Sequence, residues 1–131
     1  MKICVTSVSG NLDAQIDPRF GRCQYFIIVD SESMQFEPVP NRAVNSGSGA
    51  GIQAAQTIAS KKAQVLITGN VGPKAFQALS AARITIITGA SGKVRAVIEK
   101  YNKGLLSETN APTVGEHFGM KTSKGQDMES E

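Results

Sequence analysis

The chain has 131 residues, a formal net charge of +3 at pH 7 and 40% hydrophobic residues, and it contains no tryptophan. This length is typical of one domain, and the composition is typical of a globular protein with an aliphatic core. No apolar run approaches the roughly 20 residues that cross a bilayer, and the first residues resemble a strand rather than a signal peptide. We therefore expect a cytoplasmic protein with no membrane partner.

Charge and thiols are distributed unevenly along the chain. Residues 1–104 contain 12 Lys and Arg against 6 Asp and Glu, whereas residues 105–131 contain 2 against 5. A basic domain favours a small anionic ligand or an acidic partner, but no arginine-rich run or RNA-binding aromatic motif is present, so the sequence does not favour nucleic acid. Two cysteines, Cys4 and Cys23, are too few for a disulfide framework, so reduced thiols are expected.

The first 40 residues predict three strands. Residues 3–8 and 25–30 are rich in β-branched and aromatic side chains, and residues 35–39 alternate in polarity. Pro38 in the third strand suits an edge position, because proline cannot donate to a neighbouring strand.

The rest of the domain predicts helices that alternate with strands. Helices are predicted at 52–61 and at 73–82, and Gly104 is expected to cap the C-terminus of a third and last helix. Strands are predicted at 64–68 and 84–88. The segments 66–72 and 86–92 share a strand-Thr-Gly-x-x-Gly pattern, which indicates successive β-α units joined by parallel crossovers. We expect an α/β domain over residues 1–104 and a polar, flexible tail over residues 105–131.

This order of elements predicts a mixed five-stranded sheet, in the order 3-2-1-4-5, with three helices. The loops that follow the strands then meet at one edge, where open α/β sheets bind ligands and where helix N-termini offer N–H groups to anions. A glycine in such a loop is also explained by a tight turn alone. The candidate cofactor-binding residues are Arg19, Phe20, Gly21, Arg22, Asn45, Gly49, Gly51, Gly69, Asn70, Gly72, Gly89 and Gly92.

The stretch Asp17–Cys23 is the most informative part of this edge. Arg19 and Arg22 are planar, permanently charged donors for anions, and a thiol beside cations is a better thiolate and metal ligand. Cys23 is therefore the candidate metal ligand. Two plainer explanations stay open: Cys23 is a small packed residue at the start of a strand, and Asp17 pairs with one of the arginines.

Several motifs, in order over residues 1–104, resemble one known family. They are Asp17–Cys23, a second strand that ends in Asp30, Asn41 with Gly49-Ala50-Gly51, the segment 66–72, and Tyr101-x-x-Gly104. Together they resemble the dinitrogenase iron-molybdenum cofactor biosynthesis family, which includes NifX-type proteins, the C-terminal domain of NifB and small stand-alone archaeal and bacterial members.

The resemblance implies a ribonuclease-H-like three-layer fold and the binding or carriage of an iron–sulfur precursor of the nitrogenase cofactor. The NifB and NifX branches tend to carry a histidine before Phe-Gly, and Arg19 stands at that position here. The only histidine, His117, lies in the predicted tail.

The first hypothesis is therefore a non-enzymatic carrier that holds an anionic iron–sulfur or iron–molybdenum-type cluster for cofactor-assembly or acceptor proteins. With one thiolate at the edge, the cluster would be held transiently by one ligand plus arginine and backbone donors, or between the subunits of a homo-oligomer. The alternative is an adaptor or regulatory domain that binds a phosphorylated small molecule or an acidic protein partner. An enzyme is disfavoured because neither an acid–base pair nor a carboxylate cluster for metal-assisted hydrolysis is visible.

Overall fold

A computed structural model describes residues 1–44 and 49–114. The strands and helices are β1 Lys2–Ser7, β2 Tyr25–Asp30, β3 Phe36–Pro40, α1 Ala50–Ser60, β4 Val65–Ile67, α2 Pro73–Ala81, β5 Thr85–Ile87 and α3 Val94–Asn102. A short 3-10 turn, Phe20–Arg22, precedes β2 and was not predicted from the sequence. No helix within the described ranges is long and apolar enough to span a membrane.

The sheet has the predicted order, β3-β2-β1-β4-β5. β1 pairs antiparallel with β2, and β2 pairs antiparallel with β3. On its other side β1 pairs parallel with β4, which pairs parallel with β5. The ends of β1, β4 and β5 and the start of β2 therefore lie at the same edge of the sheet.

Apolar side chains alternate between the two faces of the sheet and form two cores. On one face, Cys4 and Leu66 belong to a buried cluster with residues of α1 and α2, including Ile58. On the other face, Val5 belongs to a cluster with residues of α3, including Val97. Each strand that is covered on both sides is apolar on both faces. The result is the predicted three-layer α/β fold.

The helix α3 ends as its sequence predicts. Gly104 has a φ of +72°, and the N–H of Leu105 donates to the carbonyl of Lys100 at 3.0 Å. A left-handed residue followed by this hydrogen bond is the Schellman ending, for which glycine is favoured.

The first ten residues of the predicted tail contact the domain. Residues 105–114, here called the strap, run along the outer side of β5. The N–H of Thr109 donates to the carbonyl of Ile86 at 2.6 Å, and Leu106 packs against the α3-side core. The edge strand exposes unpaired backbone groups, and the strap supplies partners for them. The rest of the predicted tail, residues 115–131, lies outside the described residues.

Candidate functional site

The loop that contains the arginines lies against the loop after β4. The N–H of Phe20 donates to the carbonyl of Asn70 at 3.4 Å, and the N–H of Asn70 donates to the carbonyl of Pro18 at 2.8 Å. A methyl group on Gly69 would lie 2.6 Å from the Cα of Pro18. Gly69 is therefore needed for the close approach of the two loops.

The loop after β5 joins the same edge. The N–H of Gly89 donates to the carbonyl of Gly69 at 2.8 Å, and the carbonyl of Gly92 accepts from the N–H of Ile16 at 2.8 Å. Gly89 and Gly92 have φ values of +78° and +95°, and a Cβ at either position would meet nothing within 4 Å. Their backbone conformation favours glycine, and the space beside them is open.

The N-termini of α1 and α2 lie side by side at this edge. A Cβ on Gly51, in the first turn of α1, would lie 2.9 Å from the Cβ of Ala75, in the first turn of α2. A Cβ on Gly21 would lie 2.9 Å from the backbone N of Gly51. The 3-10 turn therefore packs against α1, and α1 packs against α2, at positions where a side chain larger than that of glycine would clash.

These two helix N-termini have N–H groups with no acceptor within their own helices, although Pro73, the first residue of α2, has no N–H to offer. The first intrahelical bond of α1 is donated by Gln53 to Gly49, and that of α2 is donated by Phe76 to Gly72. Neither N-terminus has a side-chain cap among the described residues. N–H groups that precede the first intrahelical bond, with the positive end of the helix dipole, attract anions.

The N-terminus of α3 differs from those of α1 and α2, because its first two N–H groups already have backbone acceptors in another loop. The N–H of Val94 donates to the carbonyl of Ala14 at 3.0 Å, and the N–H of Arg95 donates to the carbonyl of Leu12 at 2.8 Å. The loop after β1 thus occupies two of the three N–H groups that precede the first intrahelical bond of α3, which Val97 donates to Lys93.

Arg19 is held by a buried carboxylate. The Asp17 side chain is 4% exposed, and its Oδ1 accepts from the backbone N–H of Arg19 at 3.1 Å and from its Nε at 3.4 Å. The Arg19 side chain is 40% exposed. Within the described part of the chain only Nε is engaged, so the two terminal amino groups of the guanidinium are available to a ligand. The pairing of Asp17 with an arginine, left open by the sequence, is observed for Arg19.

Two buried threonine side chains form a hydrogen-bonded pair, and one of them also bonds to the loop that contains Arg19. The hydroxyl of Thr6, at the end of β1, donates to the carbonyl of Asp17 at 2.6 Å and lies 2.7 Å from the hydroxyl of Thr68. Both threonine side chains are fully buried. Thr68 is the threonine of the strand-Thr-Gly-x-x-Gly pattern, but no site role was predicted for it or for Thr6, which lies two residues after Cys4 on the same face of β1.

Cys23 does not lie at the open edge. Its side chain is fully buried, packs in the same core as Cys4, and donates its Sγ–H to the carbonyl of Phe20 at 3.3 Å. Burial, together with the negative charge of Asp17, raises the pKa of the Cys23 thiol well above its ordinary value. The expectation of a thiolate activated by Arg22 is therefore corrected, because desolvation outweighs the nearby positive charge.

Asn41 explains why Cys23 points inward. Its side-chain amide donates to the carbonyl of Gly21 at 3.1 Å and to the carbonyl of Cys23 at 2.9 Å. These two bonds hold the 3-10 turn against the start of β2.

The other predicted site residues are placed as follows. Phe20 is buried and packs against Phe26 with ring centroids 6.0 Å apart, so it is a core residue and not a ligand contact. Arg22 is half-buried in the 3-10 turn. Gly72 forms the N-cap of α2. Asn45 lies outside the described residues.

The donors at this edge suit an anion more than a bare metal ion. Within residues 1–44 and 49–114, no three His, Cys, Asp or Glu side chains group so that they could hold a metal ion. The edge instead presents the Arg19 guanidinium, the N-termini of α1 and α2, and glycine loops. Fold and edge together define a small three-layer α/β domain with a basic, glycine-rich edge.

Comparison with known proteins agrees with this class. A family model described as dinitrogenase iron-molybdenum cofactor matches residues 1–104, and the chain belongs to that family. The resemblance found in the sequence is thereby confirmed.

Solved structures of relatives share the fold. The apo form of the orange protein from Desulfovibrio gigas is 42% identical, with a TM-score of 0.84 over 86% of this chain and 96% of that chain. A Thermotoga protein of the DUF35 family, provisionally named NifB, is 33% identical, with a TM-score of 0.73 over 86% of this chain and 98% of that chain. An uncharacterized protein of Methanocaldococcus jannaschii is 29% identical over 72% of this chain and 82% of its own length.

Proposed function

We propose that this protein is a non-enzymatic carrier of an anionic iron–sulfur or iron–molybdenum-type cluster. The cluster binds at the edge formed by Arg19 and the N-termini of α1 and α2, and the protein delivers it to cofactor-assembly or acceptor proteins. Membership of the iron-molybdenum cofactor family supports the class of cargo. The solved structure of the orange protein is of its apo form, which supports a ligand-binding role in a relative that is 42% identical.

The observation that carries the proposal is the fixed orientation of Arg19. Its Nε is bonded to a carboxylate that is 4% exposed, so the guanidinium is held in place before any ligand arrives. A planar guanidinium that is already oriented loses less conformational freedom on binding an anion than a mobile one does.

The cargo would be held without a protein thiolate. Cys23 is buried and protonated, so the donors at the edge are N–H groups, which contact the sulfur or oxygen atoms of an anion and not its metal ions. Such contacts are individually weak and reversible, as a delivery protein requires.

The direct test is anaerobic binding of a metal–sulfur anion. Tetrathiomolybdate, or ferrous iron with sulfide, is incubated with the full chain, and metal content and absorption are measured after gel filtration. We expect Arg19→Gln to weaken binding by about tenfold or more, because a hydrogen bond to a charged group contributes about 1.5–3 kcal/mol. The matched control is Arg83→Gln, since Arg83 follows α2 at the opposite edge of the sheet.

A second variant separates anion binding from thiolate ligation. Cys23→Ala is expected to retain binding. Loss of metal in Cys23→Ala together with unchanged binding in Arg19→Gln would overturn the proposed edge. If inorganic phosphate raises the melting temperature and neither metal–sulfur probe does, the adaptor or regulatory function takes the place of the carrier function.

A further inference from the structure

The strap makes two similar contacts with the loops of the proposed site. The N–H of Thr113 donates to the carbonyl of Val71 at 2.9 Å, and the hydroxyl of Thr113 accepts from the N–H of Val71 at 2.9 Å. Four residues earlier, the N–H of Thr109 donates to the carbonyl of Ile86, and its hydroxyl accepts from the N–H of Thr88 at 3.0 Å. Thr113 therefore holds the loop after β4 by two hydrogen bonds, and Thr109 makes one hydrogen bond to the backbone of β5 and one to the backbone of Thr88, which follows it.

The held residues border the proposed site. Val71 is buried and lies between Asn70, which is bonded to the arginine loop, and Gly72, which is the N-cap of α2. A shift of Val71 would move both the contact with the arginine loop and the N–H groups of α2. Thr88 directly precedes Gly89, which is bonded to Gly69.

The strap is separate from the family-matched part of the chain. The family model ends at residue 104, and both threonines follow it. The hydrogen bonds that fix these two loops are thus supplied by a segment that the family model does not include.

We infer that Thr109 and Thr113 are positioning residues for the anion-binding edge, so that docking of the strap and binding of the ligand favour each other. This inference rests on the proposed function. The coupling is reciprocal, because whatever holds Val71 in the binding conformation raises the affinity for the ligand, and the bound ligand in turn favours the docked strap.

The test uses the full chain and three variants. Thr113→Val removes the hydroxyl acceptor while keeping the shape, and Thr113 is exposed, so no cavity results. Thr113→Ser keeps the acceptor. The control is Thr57→Val, because the Thr57 hydroxyl donates only to Gln53 of its own helix, at 3.0 Å.

Two readouts are measured for each variant: amide hydrogen exchange at Val71 without ligand, and affinity for tetrathiomolybdate. We expect Thr113→Val to speed exchange at Val71 about tenfold and to weaken binding about fivefold. Thr113→Ser should restore both values, and Thr57→Val should change neither. Restoration by serine distinguishes a positioning hydroxyl from a general loss of stability.

The outcomes separate this inference from the proposed function. Unchanged exchange at Val71 in Thr113→Val overturns the inference, as does faster exchange with unchanged affinity. If the wild-type protein binds no tetrathiomolybdate, the carrier proposal fails instead. In that case, amide hydrogen exchange at Val71 in the Thr113→Val variant still shows whether Thr113 holds the loop after β4.

Discussion

Thr6 and Thr68 form a buried polar pair in an otherwise apolar layer. Their hydroxyl oxygens lie 2.7 Å apart, and Thr6 also donates to the carbonyl of Asp17 at 2.6 Å. This places a chain of hydrogen bonds between the ends of two parallel strands and the residue that orients Arg19. A buried hydroxyl that loses its partner retains the full cost of its desolvation.

The two threonines should therefore be strongly coupled. We expect Thr6→Val to lower the free energy of unfolding by about 1–3 kcal/mol, because it leaves the Thr68 hydroxyl unpaired. The double variant with Thr68→Val should cost less than the sum of the two single variants by about 1 kcal/mol. Urea unfolding of the four proteins measures this, and additive effects would show that the two hydroxyls do not interact.

At the scale of elements, close contacts between glycines and backbone set the spacing at the site. Gly21 lies against Gly51, Gly51 lies against Ala75, and Gly69 lies against Pro18. Gly89, by contrast, faces open space, and only its φ of +78° favours glycine there. Glycines that look alike in the sequence therefore have two different roles.

This difference predicts unequal effects of substitution. Gly69→Ala should lower the free energy of unfolding by about 2–3 kcal/mol, because its Cβ would lie 2.6 Å from the backbone of Pro18. Gly89→Asn should cost less than about 1 kcal/mol, since asparagine tolerates the left-handed region. Thermal or urea unfolding tests this, and equal losses in the two variants would contradict the steric explanation.

At the scale of the whole molecule, the two thiols make stability depend on alkaline pH. Burial raises the pKa of Cys4 and of Cys23 above the ordinary value of 9.0. The unfolded chain therefore releases thiol protons at a lower pH than the folded chain does. The contribution of the protonated thiols to the free energy of unfolding is therefore fully present below pH 9, and it is lost as the pH rises above that value.

The wild-type protein should lose about 1 kcal/mol of unfolding free energy per thiol for each pH unit above the ordinary thiol pKa. A variant with both Cys4→Ala and Cys23→Ala should lack this decrease of the unfolding free energy with pH. Tyrosine and lysine also titrate at alkaline pH, but their effect on the unfolding free energy is common to both proteins. Urea unfolding between about pH 8 and 10 compares them. Parallel pH profiles would show that the thiols ionise as readily in the folded state as in the unfolded chain.

Most of the fold followed from local patterns and simple topology. Three strands in a meander, followed by β-α units with right-handed crossovers, lead to the observed sheet order. The meeting of the arginine loop with the glycine loops followed from that order. The sequence left open whether Cys23 is a metal ligand or a packed residue, and could not decide between them because the Cys23 backbone is held by Asn41, which is 18 residues away.

The remaining differences also arise from contacts between distant segments. The N–H groups of α3 are occupied by an irregular loop after β1, which has no periodic pattern to interpret. The strap is short and has no periodic pattern, and its hydrogen bonds join it to residues that are distant in the sequence, Ile86 and Val71. Neither contact leaves a local signal in the sequence.

The contact between Gly51 and Ala75 places two positive helix ends next to each other. Like partial charges repel, so the protein without ligand holds unfavourable electrostatic energy that a bound anion would offset. Under the proposed carrier function, release of the anion would restore that repulsion, which would make spontaneous loss of the cargo costly. An acceptor that presents an acidic group to this edge would supply the missing negative charge, so unloading would be easiest in the complex with the acceptor.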